Sequence, residues 1–199
     1  MGQKRNRKAP LILLAVAALL VAVLAPATAG ADRGGEGAPV DIQFLNISDW
    51  HAQLNPFFIF NVGTFGGAAE LSTYFQQERA NNPNTLTLTA GEAYGGSPPL
   101  SRFFDEEPAV RAMRLMGFDV DTFGNHNFDQ GIDHLQRMID IAGDSPGHED
   151  GSPFQYVSAN LENRDDNLSG VKDFELFNMQ GIKVAVIGIT NPEAPTLVF

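Results

Sequence analysis

Residues 120–129 have the sequence VDTFGNHNFD, in which a short β-type run ends directly in a polar cluster. Val120–Phe123 predicts a strand, and Gly124-Asn125-His126 follows at its carboxyl end. A helix is predicted just before this strand, beginning near Pro108 and ending at Gly117, because proline suits a first helical position and glycine a C-terminal cap. A helix that leads into a strand with polar residues at its end indicates an α/β fold.

The same arrangement, a strand followed by polar residues, occurs twice nearer the N-terminus. Residues 40–47 precede Asp49-Trp50-His51, and Thr85–Thr89 precedes Gly91-Glu92. Apolar residues at helical spacing between these strands predict a helix that ends near residue 81. In α/β sheets, ligands bind beyond the carboxyl ends of the strands. We therefore expect the three polar clusters to converge at one edge of a sheet.

The rest of the chain continues the alternation of helices and strands. A helix is predicted from Ile132 to near Gly143, and a strand over 154–159. Residues 174–178 and 182–190 are predicted to pair as a hairpin, in which the apolar run 182–189 is expected to be a central strand covered on both faces. No closing helix follows this strand. The sequence thus predicts an α/β fold, a layered sandwich of mixed β-sheet with flanking helices that is truncated.

Charge and cysteine content exclude several classes of protein. The chain of 199 residues has 13 basic and 24 acidic residues, a net charge of −11, and no cysteine. A nucleic-acid binder that works by bulk charge needs a basic surface and is excluded. Disulfide scaffolds, iron–sulfur clusters and thiol catalysis are excluded as well. A metal site must therefore be built from Asp, Glu, Asn and His.

The N-terminus has the three parts of a secretory signal peptide. Four basic residues precede the apolar run Leu11–Ala25, and Ala27-Thr28-Ala29 offers a cleavage site. We predict a signal peptide over 1–29, a flexible lead-in over 30–39 and one domain over 40–199. The alternative is a retained membrane anchor, although the run is shorter than the roughly 20 residues that a bilayer needs. Cleavage would take the net charge from −11 to −15 and deliver the protein to the cell envelope, periplasm or exterior.

The ligand types in the three clusters indicate a metal site when they are taken together. Each cluster by itself is most simply a solvated turn. Together they offer carboxylates, imidazoles and a neutral amide oxygen, a mixture of hard and borderline ligands. Such a set suits Mn, Zn, Fe, Mg or Co rather than a structural thiolate zinc site.

In combination, the clusters resemble the first three signature blocks of the calcineurin-like metallophosphoesterases, which are D-x-H, G-D and G-N-H-[ED]. The flanking residues narrow the resemblance to the 5'-nucleotidase branch of that family. It extends over roughly residues 40–197 and includes the segments 44–51, 66–71, 97–101, 112–119, 158–160 and 188–193. This resemblance implies a metallophosphoesterase fold and a hydrolase that acts on phosphate esters.

The resemblance also implies a set of metal ligands. Asp49 and His51 would hold a first divalent ion. Glu92 stands where the family has the Asp that bridges two ions, and Asn125 would bind the second ion. The identity of the two ions stays open among Mn, Zn, Co, Fe and Mg.

Catalytic roles follow from the same resemblance. Asn125 and His126 would contact the substrate phosphate, with His126 stabilising charge on the phosphoryl group or the leaving oxygen. Asp129 would orient His126. In a two-metal site the ions clamp the phosphate and activate a water molecule. The implied substrates are nucleotides or other phosphate esters.

Three departures from the family pattern keep an alternative open. Glu92 is longer than the bridging Asp by one methylene, about 1.5 Å of reach. Asn127 replaces an acid, a change expected to be mild. The later His-bearing blocks are absent, and His134 and His148 are both expected to be solvated. These departures favour a non-catalytic or incomplete metal-binding remnant as the alternative. Sister activities are a second alternative, such as cyclic-nucleotide phosphodiesterase or nucleotide-sugar hydrolase.

Aromatic residues near the first cluster admit two interpretations. Phe57, Phe58 and Phe60 could form an apolar rim beside the site, but a packed loop is the simpler expectation. Trp50 is expected to be half-buried or to shield the metal. Contact with a membrane is expected only through an uncleaved signal segment.

Overall fold

The computed structural model describes residues 39–144, 147 and 150–197. In chain order the elements are β1 (Gln43–Ile47), β2 (Phe57–Ile59), β3 (Gly63–Phe65), α1 (Ala68–Asn81), β4 (Thr85–Thr89), α2 (Pro99–Phe103), α3 (Glu107–Met116), β5 (Val120–Asp121), a 3₁₀ turn (His126–Phe128), α4 (Ile132–Ala142), β6 (Gln155–Val157), α5 (Arg164–Asn167), β7 (Val171–Lys172), β8 (Phe174–Met179), β9 (Ile182–Ile187) and α6 (Ala194–Leu197). The predicted signal peptide, residues 30–38 and His148 lie outside the described residues. Across the described part, no helix has both the length and the apolar character that crossing a membrane requires.

A parallel sheet of five strands forms the centre of the described chain, in the order β1-β4-β5-β6-β7. Every neighbouring pair in it is parallel, so the predicted mixed sheet is a parallel sheet with separate hairpins. Because β1, β4 and β5 are adjacent and run in the same direction, their carboxyl ends lie together. The polar clusters that follow these strands therefore start from the same edge of the sheet, as the sequence predicts.

Helices α1, α3 and α4 pack on the sheet and bury most of the core. The buried residues of α3 are spaced along one face and include Val110, Met113 and Met116, and those of α4 include Leu135 and Met138. They form one cluster with aromatic residues of the strands and loops. The α3 helix ends at Gly117, whose φ of 73° is the left-handed conformation of a helix cap. The alternation of strands and helices that the sequence predicts is thus confirmed.

Arg114, a buried charged residue of α3, caps the C-terminal end of α4. The side chain is 3% exposed, and its Nη1 donates to the carbonyls of Ile141 at 3.1 Å and Ala142 at 2.9 Å. Its Nε donates to the carbonyl of Asp150 at 2.8 Å. The carbonyls of Ile141 and Ala142 lie at the C-terminal end of α4, where they lack partners within the helix, and the carbonyl of Asp150 lies in the loop beyond it. One guanidinium therefore joins α3 to the end of α4 and to the loop that follows.

The apolar run 182–189 was expected to be a central strand, and this prediction is wrong. Residues 182–187 form β9, which pairs antiparallel with β8 in a two-stranded sheet, so the predicted hairpin is confirmed. Within the described residues the hairpin leaves Ile187 and Ile189 exposed by 62% and 60%. An apolar run indicates that a strand favours burial, but it does not specify which element covers it.

The Phe57–Phe60 segment does not form the packed loop that was expected. It belongs to the antiparallel hairpin of β2 and β3, whose tip projects from the core. Phe58 is 70% exposed and Phe60 is 79% exposed. Gly66 and Gly67, both with positive φ, lead from the hairpin into α1. Trp50, by contrast, packs against the core as a partly buried side chain.

His134 was expected to be solvated, and the structure shows that it is buried. It is 8% exposed, and its Nε2 donates to the carbonyl of Asp105 at 2.9 Å. Its ring packs edge-on against Tyr94, with centroids 6.1 Å apart. Asp105 and Glu106 both have positive φ and form a turn against this face of α4. Helical spacing predicted α4, but it gave no signal for a turn that packs against this helix.

Candidate functional site

The first two polar clusters run side by side beyond the sheet. The backbone N–H of Asp49 donates to the Gly91 carbonyl at 3.3 Å, and that of His51 donates to the Glu92 carbonyl at 2.9 Å. The φ angles of Asp49, His51 and Glu92 are 52°, 48° and 55°, a left-handed conformation that is uncommon outside glycine. Such residues concentrate at functional sites, where the surrounding structure holds them in place. The predicted ligands of the first ion and the predicted bridging ligand thus share one strained corner of the fold.

One nitrogen of the His51 ring is fixed by the loop after Glu92. The Nδ1 of His51 lies 2.7 Å from the carbonyl oxygen of Gly95. Because a carbonyl only accepts, Nδ1 donates in this contact, which leaves Nε2 as the ring nitrogen that could bind a metal ion. A second partner of this kind is what orients a histidine that binds metal through its other nitrogen. Gly95 has a φ of 92°, and a Cβ there would overlap the backbone of His126.

Glu92 lies between the second and third clusters. Its Oε1 accepts from the backbone N–H of His126 at 3.2 Å. Its Oε2 is buried and has no hydrogen-bond partner within the described residues. A Cβ at Gly124 would overlap the Glu92 carboxylate, so this position requires glycine for steric reasons. An unpartnered buried carboxylate oxygen is unfavourable, and a bound cation would satisfy it.

Asn125 lies against the same carboxylate. Its amide is satisfied when Nδ2 donates to Glu92 Oε1 at 3.0 Å and Oδ1 accepts from the His126 N–H at 3.3 Å. This orientation is assigned from the hydrogen-bond network. In the opposite orientation the amide oxygen of Asn125 faces the Glu92 carboxylate, so an oxygen of each residue could contact the same ion. That second arrangement suits a cation shared by Glu92 and Asn125.

His126 and Asp129 form a hydrogen-bonded pair on the 3₁₀ turn. The His126 Nδ1 donates to Asp129 Oδ2 at 2.8 Å, and the two side chains are 38% and 30% exposed. The hydrogen bond and the charge of Asp129 raise the pKa of His126, although partial burial acts in the opposite direction. The ring lies edge-on to that of His51, with centroids 5.5 Å apart. The structure therefore brings the predicted dyad next to the predicted ligands of the first ion.

The sequence analysis did not identify several buried polar residues that lie behind the site. The replacement of the family's acid by Asn127 was expected to be mild. The Asn127 side chain is 1% exposed, and its Oδ1 accepts from the Gly124 N–H at 2.8 Å. Asp121 is fully buried at the end of β5, and burial raises its pKa to about 8. Tyr94 and Tyr156 are also buried nearby. A charged residue inside a predicted buried strand was the available signal for Asp121.

The described residues do not bring the predicted ligands into one complete coordination shell. No group of three or more His, Asp or Glu side chains in this part of the chain lies close enough together to hold a metal ion. What the structure does bring together is Glu92 with Asn125, and His51 with His126. The donor chemistry therefore fits a divalent cation, while the described residues contribute part of a ligand set.

Similar proteins were found by sequence. A comparison with protein-family models gives no match. The chain is 32% identical to endonuclease YhcR of Bacillus subtilis over 80% of its length, and 30% identical to protein UshA of Yersinia enterocolitica over 91%. It is 28% identical to the snake venom 5'-nucleotidase of Gloydius brevicauda over 98%. The matched regions span 14%, 31% and 32% of these three relatives, so the chain corresponds to a third of their length or less.

Solved structures share the fold. A 5'-nucleotidase precursor of Thermus thermophilus superposes with a TM-score of 0.61 and 24% identity, over 77% of this chain and 29% of that one. The calcineurin-like phosphoesterase YfkN of Bacillus subtilis superposes with a TM-score of 0.57 and 23% identity, over 79% and 51%. Because the relatives align over most of this chain and their fold is the one described above, the chain belongs to the 5'-nucleotidase branch of the calcineurin-like metallophosphoesterase family.

Proposed function

We propose that the chain forms the metallophosphoesterase part of an exported hydrolase of the 5'-nucleotidase type, which cleaves phosphate esters of nucleotides with two divalent ions. The observation that carries the proposal is the His126–Asp129 pair, bonded at 2.8 Å beside a His51 whose Nε2 is left free. Metal-assisted phosphate hydrolysis needs side chains that hold a divalent ion and a fixed donor that stabilises the charge developing on the phosphate. Three of the relatives and neighbours reported above carry names that indicate nucleotide or phosphoester chemistry.

The residues that would hold the ions are those that the family pattern implies. Asp49 and His51 would bind the first ion, Glu92 would bridge, and Asn125 would bind the second. The free Nε2 of His51 and the unpartnered Oε2 of Glu92 support this assignment. When bound, divalent ions lower the pKa of a water molecule and offset the charge of the phosphate. The ion identity stays open among Mn, Zn, Co, Fe and Mg, which all suit this mixture of ligands.

The role of His126 follows from its raised pKa and its exposure. Asp129 holds the proton on Nδ1 and raises the pKa of the ring, which favours a proton on Nε2 as well. That N–H is available to a phosphoryl oxygen or to the leaving oxygen, because the ring is 38% exposed. Asp129 thereby acts through His126. Stabilisation of developing charge by a fixed donor is worth about a hundredfold to a thousandfold in rate.

Asn125 would contact both ion and substrate. The carboxamide has one oxygen and one N–H₂ group, which serve an ion and a phosphate oxygen respectively. In the amide orientation assigned above, hydrogen bonds to Glu92 and to the His126 N–H hold the group beside both of these residues. Rotation of the amide plane is enough to turn the oxygen towards a cation.

The experiment that tests the proposal uses the same substitution at two neighbouring histidines. His51→Ala should weaken Mn²⁺ binding, measured by calorimetry, and abolish hydrolysis of AMP and p-nitrophenyl phosphate. His126→Ala should leave Mn²⁺ binding within about threefold and lower kcat by roughly 10²–10⁴, the usual contribution of such a group. The proposal is wrong if chelation of the metal leaves hydrolysis unchanged, or if His126→Ala hydrolyses both esters at the original rate.

A second candidate function is a metal-binding remnant without catalysis. It is favoured by the absence of a cluster of three or more His, Asp or Glu side chains within the described residues, and by Glu92 and Asn127 in place of family acids. This candidate predicts at most one weakly bound ion and no turnover. Mn²⁺-dependent hydrolysis that stops on chelation would exclude it.

Export and domain organisation are further parts of the proposal. They rest on the signal-like sequence of residues 1–29 and on a relative named cell wall protein Lmo0130 of Listeria monocytogenes, 30% identical over 94% of this chain and 26% of its own length. Residues 30–39 would form a lead-in to the domain of residues 40–199. Mass spectrometry of the protein secreted from its native source tests this prediction. We expect its N-terminal peptide to begin at Gly30. An intact Met1 in that material would contradict cleavage.

A further inference from the structure

A group of buried polar side chains lies between the loop that carries Glu92 and the loop that carries Asn125 and His126. None of the roles proposed above uses these side chains, and each is exposed by less than a tenth. They are Thr89, Tyr94, Asp121, Asn127 and Tyr156. Buried polar groups in proteins are almost always hydrogen-bonded, so this concentration calls for a structural reason.

One end of the group reaches the loop of Glu92. The hydroxyl of Thr89 donates to Oδ1 of Asp121, and its oxygen accepts from the backbone N–H of Gly91 at 3.2 Å. Asp121 Oδ1 also accepts from the backbone N–H of Thr122 at 2.8 Å. Gly91 directly precedes Glu92, so this end fixes the first residue of that loop.

The other end reaches the loop of Asn125 and His126. Asn127 Oδ1 accepts from the backbone N–H of Gly124 at 2.8 Å, which fixes the residue directly before Asn125. The remaining amide nitrogen, Nδ2, is buried and has no partner of its own at hydrogen-bonding geometry within the described residues. It lies next to the hydroxyl of Tyr94, which is likewise buried and unpartnered.

The two tyrosines connect these ends. Tyr156 neighbours both the carboxylate of Asp121 and the hydroxyl of Tyr94, and Tyr94 neighbours the amide of Asn127. A tyrosine hydroxyl both donates and accepts, so each of the two can serve a neighbour on either side. The amide nitrogen of Asn127, the two hydroxyls and Oδ2 of Asp121 are all buried, and none has a partner at hydrogen-bonding geometry within the described residues. Each of these atoms is therefore available to the next residue in the order Asn127, Tyr94, Tyr156, Asp121.

We infer that Asn127, Tyr94, Tyr156 and Asp121 form one buried hydrogen-bonded chain that sets the position of the Glu92 loop relative to the Asn125–His126 loop. These four are positioning residues of the site, and they act through the backbone of Gly91 and Gly124. The inference rests on the proposed function only where it concerns metal ligands, because the chain itself is independent of any ion. The stacking of Tyr156 on Phe123, with centroids 5.0 Å apart and planes at 8°, holds the central member in place.

The test removes single hydroxyl groups from the full chain. Tyr156→Phe and Tyr94→Phe each break the chain at one link, and Tyr74→Phe, at an exposed tyrosine of α1, is the matched control. Amide hydrogen exchange is followed by NMR in the presence of chelator. We expect the Gly91 and Gly124 amides to exchange at least tenfold faster in both variants, while amides in the middle of α3 keep their rates. Tyr74→Phe should change none of these.

The inference is overturned if Gly91 and Gly124 keep their protection, or if they change only in step with α3 as overall stability falls. If Tyr156→Phe does not fold, the comparison is made with Tyr94→Phe. Calorimetry with Mn²⁺ provides the second readout. Each variant should bind the ion about tenfold more weakly, and the double variant no more weakly than either single one, because one broken link disconnects the chain. Effects that multiply would overturn the single chain. A parent protein that binds no Mn²⁺ would contradict the proposed function, and the exchange rates would still decide the inference.

Discussion

Replacing Asp121 by Asn should change how the stability of the protein depends on pH. Burial raises the pKa of Asp121 to about 8 in the folded chain, whereas an exposed Asp side chain has a pKa of about 3.9. The nearest titratable neighbours are Tyr156 and Glu92, and the charge of Glu92 adds to the upward shift. Asn has the same shape as the protonated acid and cannot ionise. It can still accept from Thr89 and Thr122, so the fold is expected to persist.

The sign and size of the effect follow from proton binding. Between pH 5 and 7 the folded state holds a proton on Asp121 that the unfolded chain has lost. The free energy of unfolding therefore falls as pH rises, by about 1.4 kcal/mol per pH unit for this one group. Over two pH units the wild type should lose about 3 kcal/mol relative to Asp121→Asn. Below the unfolded pKa the two proteins should be similar in stability.

Urea unfolding in the presence of chelator, followed by circular dichroism at pH 5, 6 and 7, measures this difference. Asp41→Asn, at an exposed acid, controls for the removal of one negative charge. A gap between wild type and Asp121→Asn that widens with pH supports the reasoning. A constant gap would show that Asp121 titrates alike in the folded and unfolded states, and the argument from burial would be refuted.

Three further predictions follow from single contacts. Gly124→Ala places a Cβ on the Glu92 carboxylate and should destabilise the chain by about 1–3 kcal/mol, measured by urea unfolding. The same change should weaken Mn²⁺ binding. An unchanged affinity for Mn²⁺ would contradict a bridging role for Glu92. Asp129→Asn removes the negative charge and replaces the carboxylate by a weaker, neutral acceptor, so NMR titration of the His126 ring without metal should show a lower pKa, whereas an unchanged value would refute the dyad. Arg114→Lys loses the fork that reaches several carbonyls at once and should cost about 2–4 kcal/mol, read from the urea midpoint; a loss below 0.5 kcal/mol would show that the guanidinium is dispensable.

The sequence was sufficient to predict the strands of the central sheet, the helices between them and the edge at which the polar clusters meet, but it did not predict that all five strands run parallel. Strand ends followed by Asp49, Glu92 and Asn125 carry that information locally. Tyr94 and Tyr156 could not be paired from the sequence, because they lie on a loop and a distant strand that only the fold brings together. His134 was misjudged for the same reason: the turn at Asp105 and Glu106, which buries it, depends on positive φ angles at residues that are not glycine.

The exposed β2–β3 hairpin has a consequence for how copies of this protein behave in concentrated solution. Aromatic rings such as Phe58 and Phe60 are the part of the surface that attracts a neighbouring molecule. The net charge of −11 acts in the opposite direction, because every copy repels every other. That repulsion is screened beyond a Debye length of about 8 Å at physiological salt and about 3 Å at 1 M. Colloidal stability is therefore greater at low ionic strength than at high salt, and it declines as the pH falls from neutral towards the isoelectric point near 4.6.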